Sequence, residues 1–240
     1  MALPKLEHPT FKVTVPSTKA KLTFRPYTVK EQKVLLMLKE SSTPDEVVES
    51  LKSLISSCCI EKVNTNKLAY FDIEYIFLKI RAASVGEVAT VSYKCNNIVE
   101  GEKCGTVTNL NIDLNQIEVD QSGVKSREIG VTKDITLTMN YPNLESAKLI
   151  LDYRTTGNID QLISAIVNDI KDVTEQDKLY EDFNAEELKE FVNSMSVDTF
   201  DKILDFYISC PTVKKEVEFT CNKCKYTEKL TLSGIQDFFA

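Results

Sequence analysis

The sequence holds one histidine, His8, and no tryptophan. His8 sits in an N-terminal LEHP stretch where solvent exposure is the common fate, and Ser-His or Cys-His chemistry would have to run through that single ring. Glycine-rich phosphate loops, dinucleotide fingerprints and zinc-hydrolase motifs are also missing. The chain is therefore expected not to be an enzyme and to have no small-molecule substrate. Seven glycines and seven prolines in 240 residues leave little material for disordered segments. Apolar runs fall short of the ~18 residues that cross a bilayer, and Met1 to Thr10 lacks the apolar core of a signal peptide, so a cytoplasmic protein is expected. Positive charge is in deficit too, with 29 Lys and Arg against 36 Asp and Glu. The net charge of −7, without any arginine-rich or aromatic-basic stretch, removes the usual drive toward nucleic acid or anionic membranes.

What is present is a globular composition, 42% apolar and 27% charged. A chain of this length can bury one large core or two smaller ones. Phe11 to Val15 alternates apolar and polar residues, Pro16 to Lys19 supplies turn chemistry, and Lys21 to Phe24 resumes the strand pattern, which predicts a β-hairpin. Lys30 to Lys39 reads as a helix, broken at residues 41–44. Beyond it Val47, Val48, Leu51, Leu54, Ile55 and Cys58 form one helical stripe. Phe71 to Arg81 is a dense apolar helix, and Glu87 to Tyr93 returns to strand.

The second half repeats this order. Residues 128–141 again read as strand, turn and strand. At an offset of 114, Tyr27, Glu31 and Leu35 fall on Tyr141, Glu145 and Leu149, and at 115 the stripe recurs as Leu162, Ile163, Ile166 and Ile170. Glu87 to Cys95 matches Val213 to Cys221 at an offset of 126, which puts about eleven added residues near Glu181 to Met195. Each half closes with a polar strand, residues 106–114 and 227–232. The expected fold is α+β: two diverged repeats, each a β-hairpin, several helices and a C-terminal cysteine-bearing β-hairpin, packed about a pseudo-twofold axis. The first repeat spans 1–117, a polar linker 118–126, and the second repeat 127–240.

Seven cysteines in a reducing compartment are expected to be core residues or metal ligands. Cys58, Cys59 and Cys210 continue apolar surfaces and read as core or boundary positions. Cys95 and Cys104 lie after a strand in the first half, Cys221 and Cys224 in the second. The CNKC of the second pair suits a zinc knuckle, and NNIVEGEK between the first pair looks like an insertion into one. Four sulfurs from matching ends of two repeats could bind a single structural zinc. A metal-free pair of hairpins, two separate sites or a redox pair are the other readings of the same residues. Lys94, Lys103, Lys223 and Lys225 flank the cysteines and are expected to lower their pKa. The acidic stretch Asp177 to Glu190 reads as a helix start with Asn184 as N-cap and Glu187 completing the cap, and Asp237 to Ala240 as a tail that could dock on a partner.

The opening LPKLEHPTFKVTVPSTKAKLTFRPYTVKEQKVLLM and the later FDIEYIFLKIRAASVGEV carry a resemblance. Over residues 3–95 the chain resembles the baseplate hub and hub assembly proteins of T-even-like contractile-tailed bacteriophages. The resemblance implies a late protein and hub subunit or assembly factor, with other baseplate hub or tail proteins as partners. It implies a place in the host cytoplasm during assembly and in the tail baseplate of the virion, and it carries no catalytic residues. The competing expectation is a zinc-stabilised adaptor or chaperone-like protein acting on a host or non-tail partner.

Overall fold

The computed structural model describes residues 6–41 and 44–237. Phe238, Phe239 and Ala240 of the expected docking tail, and the Ser42–Thr43 part of the helix break, lie outside the described residues. The alternating segment forms β1 (Phe11–Thr14), antiparallel to β2 (Lys21–Phe24), with Phe11 opposite Phe24. Alternation turns Val13, Val15 and Phe24 inward. α1 (Val29–Ser41) starts after Thr28, whose amide donates to the Glu31 carboxylate at 2.7 Å, while Arg25 pairs with the same carboxylate at 2.9 Å. This threonine and glutamate, three apart, restrain the first turn.

α2 (Pro44–Cys58) opens with proline at its first position, where the missing amide costs nothing. Leu51, Leu54, Ile55 and Cys58 of the expected stripe are buried, but Val47 in its first turn is exposed. The chain leaving α2 returns to β2, where Cys59 bridges Phe24. α3 (Tyr70–Val85) is buried on almost every side, as its nearly continuous apolar sequence requires. Its Asp72 accepts the amide and hydroxyl of Ser17, so the hairpin turn is tied to the central helix.

β3 (Val88–Lys94) pairs antiparallel with β6 (Val107–Asp113), and the stretch between carries a short ribbon of β4 (Ile98–Val99) and β5 (Glu102–Lys103). The expected linker is partly strand: β7 (Glu118–Asp120) joins the last sheet of the molecule. β8 (Glu128–Gly130) and β9 (Ile135–Met139) form the second hairpin. α4 (Leu144–Thr156) and α5 (Ile159–Asp169) follow, capped by Asn143 and Asn158.

Ile170, expected on the helical stripe of α5, instead begins β10 (Ile170–Glu175), which pairs with β9 and with β11 (Lys178–Tyr180). Hydrogen bonding to β9 overrides the helical period here, because Asn140 donates to the carbonyl of Asp169 at 2.7 Å and Ile170 faces Met139. The stretch from Glu181 to Met195, where the added residues were expected, holds α6 (Ala185–Asn193). Asn184 and Glu187 form the expected reciprocal cap. α7 (Val197–Ser209) leads into β12 (Thr212–Thr220) and β13 (Thr227–Ser233), and α8 (Gly234–Asp237) follows.

The fold is mixed α+β with small antiparallel sheets, ordered β1-β2, β11-β10-β9-β8, β13-β12-β7, β3-β6 and β4-β5. One core gathers β1, β2, α2 and α3, and a second gathers β8, β9, β10, α5, α6 and α7. A third is shared by both halves, with Leu78, Ala89, Val91 and Ile112 against Val213 and Leu232. Further contacts cross between the halves: the Tyr70 amide donates to Pro142, Phe71 meets Tyr141 edge-on at 5.2 Å, and Leu144 enters the first core.

Candidate metal centre

The β3–β6 and β12–β13 ribbons run outward from the shared core, and each turn at the far end holds two cysteines. β3 delivers Cys95 and β12 delivers Cys221. Both are buried beside Phe219, which is fully buried and meets Tyr93 edge-on at 4.8 Å. Cys104 and Cys224 stand on the partly exposed side.

The two turns share one hydrogen-bond frame. The Cys95 amide donates to Thr106 at 2.9 Å and the Gly105 amide to the Cys95 carbonyl at 3.1 Å; Cys221 to Tyr226 at 2.8 Å and Lys225 to Cys221 at 3.1 Å reproduce it. Gly105 and Lys225 occupy the same left-handed position, at φ 62° and 61°. The β4–β5 ribbon enters the first turn without disturbing this frame. Its base closes where Cys104 donates to the Asn97 carbonyl at 2.8 Å.

All four sulfurs lie within 4.8 Å of one another. Cys95 Sγ stands 3.7 Å from Cys224 Sγ, and Cys104 Sγ stands 3.8 Å from Cys221 Sγ. A disulfide would need about 2.05 Å. Thiolates held ~2.3 Å from one tetrahedral zinc are about 3.8 Å apart, so these contacts match two edges of an S4 tetrahedron. The donor set fits a soft, four-coordinate cation and leaves no open position for a reacting water. Among the described residues this is the cluster of three or more Cys, His, Asp or Glu donors with ligand-like spacing.

Burial pushes the Cys95 thiol up to about 12, partly offset by the Asn97 amide. The Thr106 hydroxyl and amide lower Cys104. The Tyr226 amide pulls Cys224 down to about 6 against the opposing effect of burial. An amide two residues ahead of three of the four sulfurs therefore favours the thiolate, as in a metal knuckle. Lys94, Lys103, Lys223 and Lys225, expected to lower these thiols, are not the cause: amides and a hydroxyl lower Cys104 and Cys224, and Cys95 is raised.

The four cysteines expected as ligands are brought together. Asn97, whose side-chain amide approaches Cys224 Sγ at 3.7 Å, and Thr106, whose hydroxyl lies 3.3 Å from Cys104 Sγ, were not foreseen as partners. Their spacing is a usable signal, since each follows a knuckle cysteine by two residues. Phe219 could have been found from strand alternation, being two residues before Cys221 on the same face. His8 is exposed and takes no part in the cluster. No described helix is long and apolar enough to cross a membrane.

A family model described as T4 bacteriophage base plate protein matches residues 8–240. No curated protein and no solved structure matches the chain.

Proposed function

The chain belongs to the T4 bacteriophage base plate protein family, and from that membership we propose that it serves as a hub subunit or hub assembly factor. The observation that carries this reading is the reach of the family match, which takes in both halves and both cysteine turns. The protein acts through contacts with other tail proteins in the host cytoplasm and, as a hub subunit, in the baseplate. It has no catalytic step of its own. Affinity capture from infected cells is expected to recover hub components, and loss of the gene to stop tails before the baseplate closes. Recovery of host proteins alone, with normal baseplates in the mutant, overturns the reading. Mass spectrometry of purified particles separates a virion subunit, which is present, from an assembly factor, which is absent.

Within that role Cys95, Cys104, Cys221 and Cys224 hold one structural zinc that clasps the two halves. The sulfur contacts at 3.7 and 3.8 Å support this, as does the shared frame of the two turns. The ion would supply cross-linking and no chemistry, at ribbon ends where Cys95, Phe219 and Cys221 are buried and Tyr93, Leu110 and Leu230 pack against them. The same frame, with the parallel order of hairpin, helices and knuckle, supports two copies of an ancestral unit about a pseudo-twofold axis, one over 1–117 and one over 127–240. Protein from zinc-replete cells is expected to carry one zinc per chain and Cys221→Ser to carry none. Metal-free wild-type protein refutes the clasp.

A further inference from the structure

Two of the sulfur contacts within the cluster have a chemical use besides tetrahedral ligation. The two at 3.7 and 3.8 Å join opposite halves, Cys95 with Cys224 and Cys104 with Cys221. Each joins one buried sulfur to one partly exposed sulfur. These partners are 129 and 117 residues apart in sequence.

We propose that the cluster is also a site of oxidative modification, at which a hydroperoxide forms the cross-half disulfides Cys95–Cys224 and Cys104–Cys221. The inference uses the same four residues as the proposed clasp but depends on their geometry and not on the metal. The outer sulfur, Cys104 or Cys224, meets the oxidant first. Its thiolate attacks hydrogen peroxide, the O–O bond breaks, sulfur loses two electrons to become a sulfenic acid, and the departing hydroxide takes up the proton the thiol had released and leaves as water. The buried thiol in contact with it then attacks the sulfenic sulfur. The S–O bond breaks, the S–S bond forms and the hydroxyl leaves with a proton as a second water. Each disulfide therefore consumes one hydroperoxide and removes two hydrogens, and any bound cation is released as its ligands are used up.

The consequence is a covalent link between the halves wherever the cation is lost under oxidising conditions. A component carried out of a reducing cytoplasm in a particle enters such conditions. The pairing differs from what a CNKC motif suggests alone, because its two cysteines are neighbours in sequence and would be expected to bond with each other.

The test uses the full-length protein, purified under reducing conditions and analysed for zinc. One portion is kept as purified and one is stripped with a chelator. Both receive hydrogen peroxide, are alkylated, and are digested without reduction for mass spectrometry. Peptides joining Cys95 to Cys224 and Cys104 to Cys221 are expected to dominate in both portions. In Cys224→Ser the Cys104–Cys221 bond is expected to survive alone. Dominant Cys221–Cys224 or Cys95–Cys104 bonds, links between chains, or sulfinic acids without disulfides overturn the proposal. Zinc-free protein that yields the cross-half bonds refutes the clasp and upholds this inference; zinc-bearing protein with bonds inside each turn does the reverse.

Discussion

Replacing Phe219 with alanine tests whether the cysteine turns are held by packing beneath them. The ring is fully buried at the outer end of β12, in a cluster whose other fully enclosed members are Cys95 and Cys221. Large-to-small substitution of a buried phenylalanine costs about 3–5 kcal/mol, the spread reflecting how far the surroundings collapse. Tyr93, Leu110 and Leu230 are only partly buried and can settle into the space, so the lower end, about 3 kcal/mol, is expected. That figure contains the lost edge-on contact with Tyr93, worth about 1 kcal/mol. If the penalty is confined to the ribbon ends, the liganding geometry bears it, and zinc affinity falls about a hundredfold at 1.4 kcal/mol per decade. Urea denaturation with metal present and absent, with a competitive zinc titration, measures both quantities. A loss under about 1 kcal/mol with unchanged affinity would refute the reasoning, since the turns would then owe their geometry to hydrogen bonds alone.

Burial raises the carboxyls of Asp169 and Glu74 from 3.8 and 4.5 to about 7, with Tyr207 and Ser146 donating to the first and the Ile235 amide to the second. The unfolded chain ionises these groups earlier, so stability is greatest below their ordinary values and falls as pH rises toward 7. The loss is at most about 4 kcal/mol for Asp169; a melting temperature that climbs from pH 5 to 7, or a slope unchanged in Asp169→Asn, contradicts this. Glu31→Ala removes the acceptor for Thr28 and Arg25 at the start of α1 and is expected to cost about 1–2 kcal/mol by chemical denaturation, with loss of helical circular dichroism. Chelation is expected to speed amide exchange at the ends of β3, β6, β12 and β13, while α3 and α7 stay protected, because the two main cores do not touch the cysteine turns. Uniform exchange across the chain would show that the metal supports the whole fold.

Much of the fold was legible because it rests on local chemistry. The β1–β2 hairpin follows from alternation between Phe11 and Phe24, and α6 from the pairing of Asn184 with Glu187. α3 announces itself as an apolar run too dense for a surface helix. The four cysteines were legible as a set because each pair closes a strand at the same place in its half. Other features had no local signature. Ile170 keeps the helical period of α5 yet turns into strand, since β9 offers it hydrogen bonds. Glu118–Asp120 has the composition of a linker yet completes the last sheet, since β12 has an edge to fill there. Asp72, Glu74 and Asp169 look like ordinary surface acids and are buried, each supplied with donors from distant residues.

By itself the sequence determined the kinds of element, their order, and which residues could serve as soft metal ligands, because periodicity, capping and side-chain chemistry act within a few residues. Tertiary structure alone decided that sulfurs from opposite halves touch. Cys95 and Cys224 lie 129 residues apart along the chain, yet their sulfurs stand 3.7 Å apart, because the shared core sets the two ribbons side by side and their common hydrogen-bond frame turns the sulfurs inward.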